Sequence, residues 1–208
     1  MTADSNDRPE TIASPVHDPR HLERAGWKNV EVIWEQIHEA AAESERAGDY
    51  TDAAELWRGA LDVAREHLAS NDLRVAASVA SVAVAERRKG DAATADRMLD
   101  EALALWDAGD GWVESLNVST YARSSTFHLR LEAKHRGGYD RLPRERCRAL
   151  AREGRAVLAA RRDGRPDTSD RLERWRRERP DGFDDWRKLL GAVLLIASDS
   201  GCDRRPER

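Results

Sequence analysis

Apolar positions recur along this chain at steps of three and four, the spacing of one face of an α-helix. Val30, Ile33, Trp34, Ile37 and Ala41 mark the first stripe, and Gly48-Asp49 ends it. Glycine is the residue that most readily takes the left-handed conformation closing a helix. A second stripe, Ala53, Leu56, Trp57, Ala60, Leu61 and Ala64, predicts a helix from about Thr51 to Leu68. Ser70-Asn71-Asp72 then breaks the chain and offers Asn71 or Asp72 as an N-cap. The next segment, "LRVAASVASVAVAERRK", is small and apolar on nearly every side, the pattern of a helix buried between neighbours. Gly90-Asp91 stops it, Ala92 to Trp106 forms its partner, and "DAGDG" (107–111) is the following loop.

The two helical pairs repeat. Gly48 and Gly90 stand 42 residues apart, and the same shift carries Asp49 onto Asp91, Ala53 onto Ala95, Ala60 onto Ala102 and Leu61 onto Leu103. Such a period predicts stacked helical hairpins. A third, degenerate copy is expected from Trp112 to Arg136, with "GGYD" (137–140) as its turn and Pro143 in the first turn of its second helix. On that second helix Cys147, Leu150, Ala151, Gly154, Val157 and Leu158 form one apolar face, which reads Cys147 as a buried small residue. Hairpins are therefore expected at about 29–68, 71–108 and 112–162 within a helical domain of 26–200, followed by capping helices at about 169–179 and 183–198. Residues 1–25 read as a flexible leader and 201–208 as a loose tail.

The stretch "GDYTDAAELWRGALDVA" (48–64) resembles the second half of a tetratricopeptide repeat, and the 42-residue spacing is similar to the long, kinesin-light-chain-type variety. The resemblance covers Val30 to Trp106 well and 112–161 weakly. It departs from the family pattern where Ala40-Ala41 and Val82-Ala83 replace the familiar Leu-Gly pair, and where Arg146 stands in the place of Trp57 and Leu99. It implies an all-α, right-handed α-solenoid of about three hairpins with C-terminal capping helices. It also implies a protein-interaction module, an adaptor, chaperone, assembly factor or regulatory subunit, holding a partner's peptide or helix in a concave groove lined by the first helix of each hairpin.

Mapped onto this sequence, the groove offers Glu35, His38, Glu45 and Arg46, then Ala77, Ala80, Val84, Arg87 and Arg88, then Ser124, Phe127, Leu131, Lys134 and His135. Of these, Glu35, His38, Arg46, Arg87, Arg88, Phe127, Lys134 and His135 are the expected partner-binding residues. The basic row Arg46, Arg87, Arg88, Lys134 and His135 suits an acidic peptide. The competing reading is that basic residues at helix C-termini simply complement the helix dipole.

Two other chemistries compete with recognition. "EQIH" (Glu35, His38) and "EAKH" (Glu132, His135) are both Glu-x-x-His, which builds di-metal sites in helical bundles when other helices add carboxylates. Here Glu86 adjoins an exposed basic run and Glu101 lies beside Arg97 and Asp100, so the expectation is no metal and no cofactor. Residues 141–179 carry 14 Arg against 7 acidic residues, leaving about −11 on the rest of a chain whose formal net charge is −4. Arginines interleaved with Trp175 could bind phosphates and bases. Interspersed acids such as Glu173, set to pair with Arg177, favour a solvated face instead, and nucleic acid is not the expected partner.

No nucleophile elbow, phosphate loop or dinucleotide fingerprint is present, so no catalytic residues are assigned and an enzyme is not expected. Two cysteines, Cys147 and Cys202, suit a reducing compartment, and the acidic, proline-broken start lacks a secretory pattern. The longest apolar run, Leu189 to Ala197, is too short to span a bilayer, and the expectation is a cytoplasmic protein. That closing helix is apolar around most of its circumference, so it either packs as a buried cap or exposes a face for a homodimer.

Overall fold

The computed structural model describes residues 28–116, 133–165 and 185–197. Among them every element is helical: α1 (Asn29–Ala47), α2 (Tyr50–His67), α3 (Leu73–Arg88), α4 (Ala92–Asp107), α5 (Asp110–Ser115), α6 (Ala133–Arg162) and α7 (Asp185–Ala197). The expected leader, the 169–179 capping helix and the 201–208 tail lie outside the described residues.

The first four helices form as two antiparallel pairs joined by matching turns. Gly48 and Gly90 take φ of 88° and 91°, a region closed to most side chains, and each releases the chain into a new helix. Asp49 and Asp91 then cap α2 and α4, accepting from the backbone N–H of Asp52 at 3.1 Å and of Thr94 at 3.0 Å. Asp72 does the same for α3, accepting from the N–H of Arg74 at 3.0 Å. Alanines at 53, 60, 64, 95 and 102 are fully buried, so helix backbones approach closely while Trp57, Leu99 and Trp106 fill the space between them.

The third layer differs from the sequence expectation. The stretch from Trp112 does not open a long helix: α5 ends at Ser115, and Leu116 turns to an extended ψ of 135°. "GGYD" is not a turn, because the backbone of α6 stays helical from Ala133 through Gly137-Gly138 and past Pro143. Glycine accepts right-handed helical dihedrals as well as left-handed ones, and an interior proline removes one hydrogen bond without forbidding the helix. The layer consists instead of α6, which packs on α4, and α7, which packs on α3 and α6 and reaches α1.

On α6 the expected face is buried, with Cys147, Leu150 and Leu158 inaccessible and Val157 nearly so. Trp106 sets its Cζ2 and Cη2 atoms against Gly154 and donates its Nε1–H to the carbonyl of Ala151 at 2.9 Å. A Cβ at position 154 would stand 2.3 Å from Trp106 Cζ2 and 2.9 Å from Val193 Cγ2, so this glycine is where α4, α6 and α7 meet. Gly154→Ala is therefore expected to destabilise the protein by about 1–3 kcal/mol through overpacking, read as a lower urea midpoint at unchanged slope.

Candidate functional site

Sequence periodicity predicts that α1 buries Val30, Ile33, Trp34, Ile37 and Ala41. The structure turns that helix further: Ile33 is 38% exposed, whereas Glu31, Glu35, His38 and Glu45 are buried beside Trp34. These polar residues fall at helical spacing along the side that the repeat resemblance assigns to a groove. They are buried because α7 and α3 lie over them. Leu189, Leu190, Val193, Leu194 and Ile196 of α7 are all buried as well, so the apolar stripe considered as a dimer face is covered within the chain.

At the start of this contact is a buried ionic cluster. Glu31 accepts from Arg74 Nη2 and from Lys188 Nζ, each at 2.8 Å, and from the Lys28 backbone N–H at 2.8 Å. Arg74 also grips Asp72 through Nε at 3.0 Å and Nη2 at 2.6 Å. Its guanidinium carbon lies 5.8 Å from the Trp34 ring centroid and 5.9 Å from that of Trp112, at the outer reach of cation–π attraction. Burial by itself would raise the Glu31 pKa, but Lys188 and Arg74 outweigh it and hold the carboxyl below its ordinary range. Burial likewise opposes the charge on Arg74, and Asp72 with Glu31 more than restores it. Lys188 thus ties α7 to α1 at the carboxylate that also holds Arg74 of α3.

A neutral polar chain continues from there. Ser78 Oγ accepts from Trp34 Nε1 at 2.8 Å, donates to the carbonyl of Arg74 at 2.9 Å, and lies 3.0 Å from His38 Nε2. With its one hydroxyl hydrogen given to Arg74, Ser78 must accept from His38, which assigns His38 the Nε2–H tautomer. Its ring stands 4.5 Å from that of Trp34, and burial drives its pKa down to about 3, so it is neutral in the fold. This environment is unsuited to general acid–base work near neutrality.

The expected basic row is divided by the fold. Arg46 is exposed. Arg87 donates to the carbonyl of Arg161 at 3.0 Å and pairs with Asp96 at 2.8 Å, holding α6 to α3 and α4. Arg88 is bound to Glu45 of α1, and its guanidinium carbon covers the Tyr50 ring at 4.4 Å. Lys134 and His135 stand on the first turn of α6, where the backbone alone is described, and Phe127 lies outside the described residues. Arg87 and Arg88 are consequently fastenings between helices, a role their place in the sequence did not reveal.

The Glu35–His38 half of the metal motif is present but enclosed. Glu132 lies outside the described residues, and among those described no group of three or more His, Cys, Asp or Glu side chains could hold a metal ion. The Arg-rich helix α6 is charge-matched by its neighbours. Arg162 pairs with Asp100 at 2.6 Å, Arg155 with Asp107 at 2.5 Å and Arg148 with Glu114 at 2.5 Å, while Arg144 donates to the Glu114 carbonyl at 2.6 Å. Both partners step by seven residues, in opposite directions, so the pairs run along the antiparallel seam as a zipper. These arginines were a phosphate-binding candidate; in the fold they are neutralised by α4 and α5. The Glu173–Arg177 pair lies outside the described residues.

Among the described residues no helix is long and apolar enough to cross a membrane. Comparison of the chain with protein-family models, curated proteins and solved structures found no match.

Two measurements check the buried cluster. Arg74→Met leaves Glu31 and Asp72 enclosed without their shared cation, and is expected to cost about 3–5 kcal/mol in chemical denaturation. His38 binds no proton in the fold until about pH 3 but does so in the unfolded chain below its ordinary value of 6.5. The unfolded state then holds more protons, so stability falls as pH drops from about 6.5, by up to about 1.4 kcal/mol per pH unit. Glu31, depressed from its ordinary value of 4.5, adds a loss of the same sign only at lower pH. His38→Gln should therefore flatten the stability profile between about pH 6.5 and 5 and leave, at lower pH, only the part of the fall that carboxylates such as Glu31 contribute.

Proposed function

We propose that this chain is a recognition module: a right-handed α-solenoid of tetratricopeptide-like hairpins that holds a peptide or helix of another protein, as an adaptor, assembly factor or regulatory subunit. The observation that carries the reading is the seating of α7. A helix with an apolar stripe packs on α3 and α6 and reaches α1, where its Lys188 bonds the buried Glu31. This is helix-in-groove recognition carried out within the chain.

The magnitude of that contact decides how a partner can bind. Each of the five apolar side chains buried by α7 contributes about 1.5–3 kcal/mol, so the sum is of the order of a small domain's whole stability. Such a helix stays seated, and a partner must engage another face. Arg87 and Arg88 are not available to an acidic peptide without loosening α6 and α1. The carboxylates facing Arg144, Arg148, Arg155 and Arg162 weigh against the nucleic-acid alternative, since phosphates would have to displace them. Enclosure of Glu35 and His38 weighs against a Glu/His metal enzyme.

Crosslinking in the native cell, followed by purification of the tagged full chain and mass spectrometry, tests the reading. A stoichiometric protein partner, with crosslinks to the helical domain, is the expected result. Recovery of the chain alone would overturn it, as would salt-sensitive nucleic acid in its place.

A further inference from the structure

Apart from Tyr50, covered by Arg88, the exposed large hydrophobic side chain among the described residues is Ile33. It belongs to the outer side of the first hairpin, facing away from α3 and α7. Ser44 of α1 bonds Asp52 of α2, which fixes the antiparallel register of this pair. With equal rise per residue, that register sets Ile33 across from Val63, Ile37 across from Gly59 and Ala40 across from Leu56. All of these except Ile33 are half-buried, so a shallow apolar groove runs between α1 and α2 on the outer surface.

Gly59 is the unexplained residue of that groove. It sits in the interior of α2, where glycine costs about 0.5–1 kcal/mol relative to alanine. A Cβ built on it meets nothing within 4 Å, whereas the same atom at Gly154 would strike Trp106. Among the described residues no neighbour requires Gly59 to be small. The notch above it is open to a body from outside.

The rim of the groove is mainly acidic. Glu43 on α1 and Glu55, Asp62 and Glu66 on α2 are exposed on arcs adjoining the apolar positions, with the exposed Arg46 at the turn end of α1. The cations of α2 point the other way: Arg58 holds Glu86 and Arg65 holds Glu101, each at 2.8 Å. A second copy of this face would bring carboxylates against carboxylates, and nucleic acid or an anionic membrane would be repelled in the same way.

We propose that the outer groove between α1 and α2 docks a basic amphipathic helix of another protein. One large apolar side chain enters the notch at Gly59, and flanking Lys or Arg side chains meet Glu43, Glu55, Asp62 and Glu66. This rests on the recognition-module reading and names the surface and the partner's chemistry. It reverses the charge expected of the partner, because the acidic face is open while Arg87 and Arg88 of the basic row are engaged.

The test titrates the isotope-labelled full chain with a designed Leu/Lys amphipathic helix and, separately, with its Leu/Glu counterpart. NMR shifts confined to α1 and α2, from the Leu/Lys peptide alone, are expected. Gly59→Leu fills the notch with a good helix former; it should keep the thermal midpoint at or above the parent value and weaken the peptide about tenfold. Glu55→Lys with Asp62→Lys should weaken it at least as much. Absence of binding, equal binding of both peptides, shifts centred elsewhere, or indifference to Gly59→Leu would each overturn the proposal. A native partner crosslinked only to other helices sinks this inference alone, whereas recovery of no partner sinks the recognition reading itself.

Discussion

A carboxylate out of water must be answered by cations, and in this protein Glu31 is answered from two other helices. Arg74 reaches it from α3 and Lys188 from α7, with Asp72 and two tryptophan rings closing around the guanidinium. The energy of such a cluster, set against an apolar replacement, is close to nothing, because desolvation offsets the Coulombic gain. Its consequence is geometric. Apolar packing rewards close fit in more than one arrangement, whereas a buried ion pair penalises every arrangement that separates its charges. This constraint helps set the seat of α7 on Glu31, while Ser78 and Arg88 of α3 close over His38 and Glu45.

Repetition supplies the second ordering principle. Trp34 and His38 meet Ser78 at separations of 44 and 40 residues, and Glu31–Arg74 and Glu45–Arg88 are each 43 apart. Residues about one repeat apart therefore touch. Across the next boundary the chain changes method. Helix α6 is joined to α4 by a seam of exposed arginine–carboxylate pairs, individually worth no more than about 1 kcal/mol. Trp106 against Gly154, with Val193 close by, gives that seam its apolar centre.

The two modes of assembly divide the surface. Basic side chains are spent on joining helices: Arg74, Arg87 and Arg88 around α3, then Arg144, Arg148, Arg155 and Arg162 along α6. Carboxylates of the first hairpin's outer side have no such duty and remain in solvent around a partly exposed apolar groove. A chain with modest net charge thereby presents one distinctly acidic face, and long-range electrostatics at that face select for cationic partners.

What the sequence determined by itself was local. Gly48 and Gly90 needed the left-handed region, Asp49, Asp72 and Asp91 needed unpaired backbone donors, and the buried alanines with Trp57 needed close helix contact; each signal acts within a few residues. The zipper was also written there, in acids at 100, 107 and 114 and arginines at 148, 155 and 162, but only the seven-residue step shared by both would have disclosed it. Arg74 was concealed by an otherwise apolar helix, although a lone cation in such a helix demands buried counter-charges. Tertiary structure decided which side of α1 is covered, that Arg87 and Arg88 fasten helices, and that α7 occupies the layer over α3. Helical periodicity says that one face will be buried. Only the packing of distant segments, competing for the same apolar surface, chooses which face and beneath what.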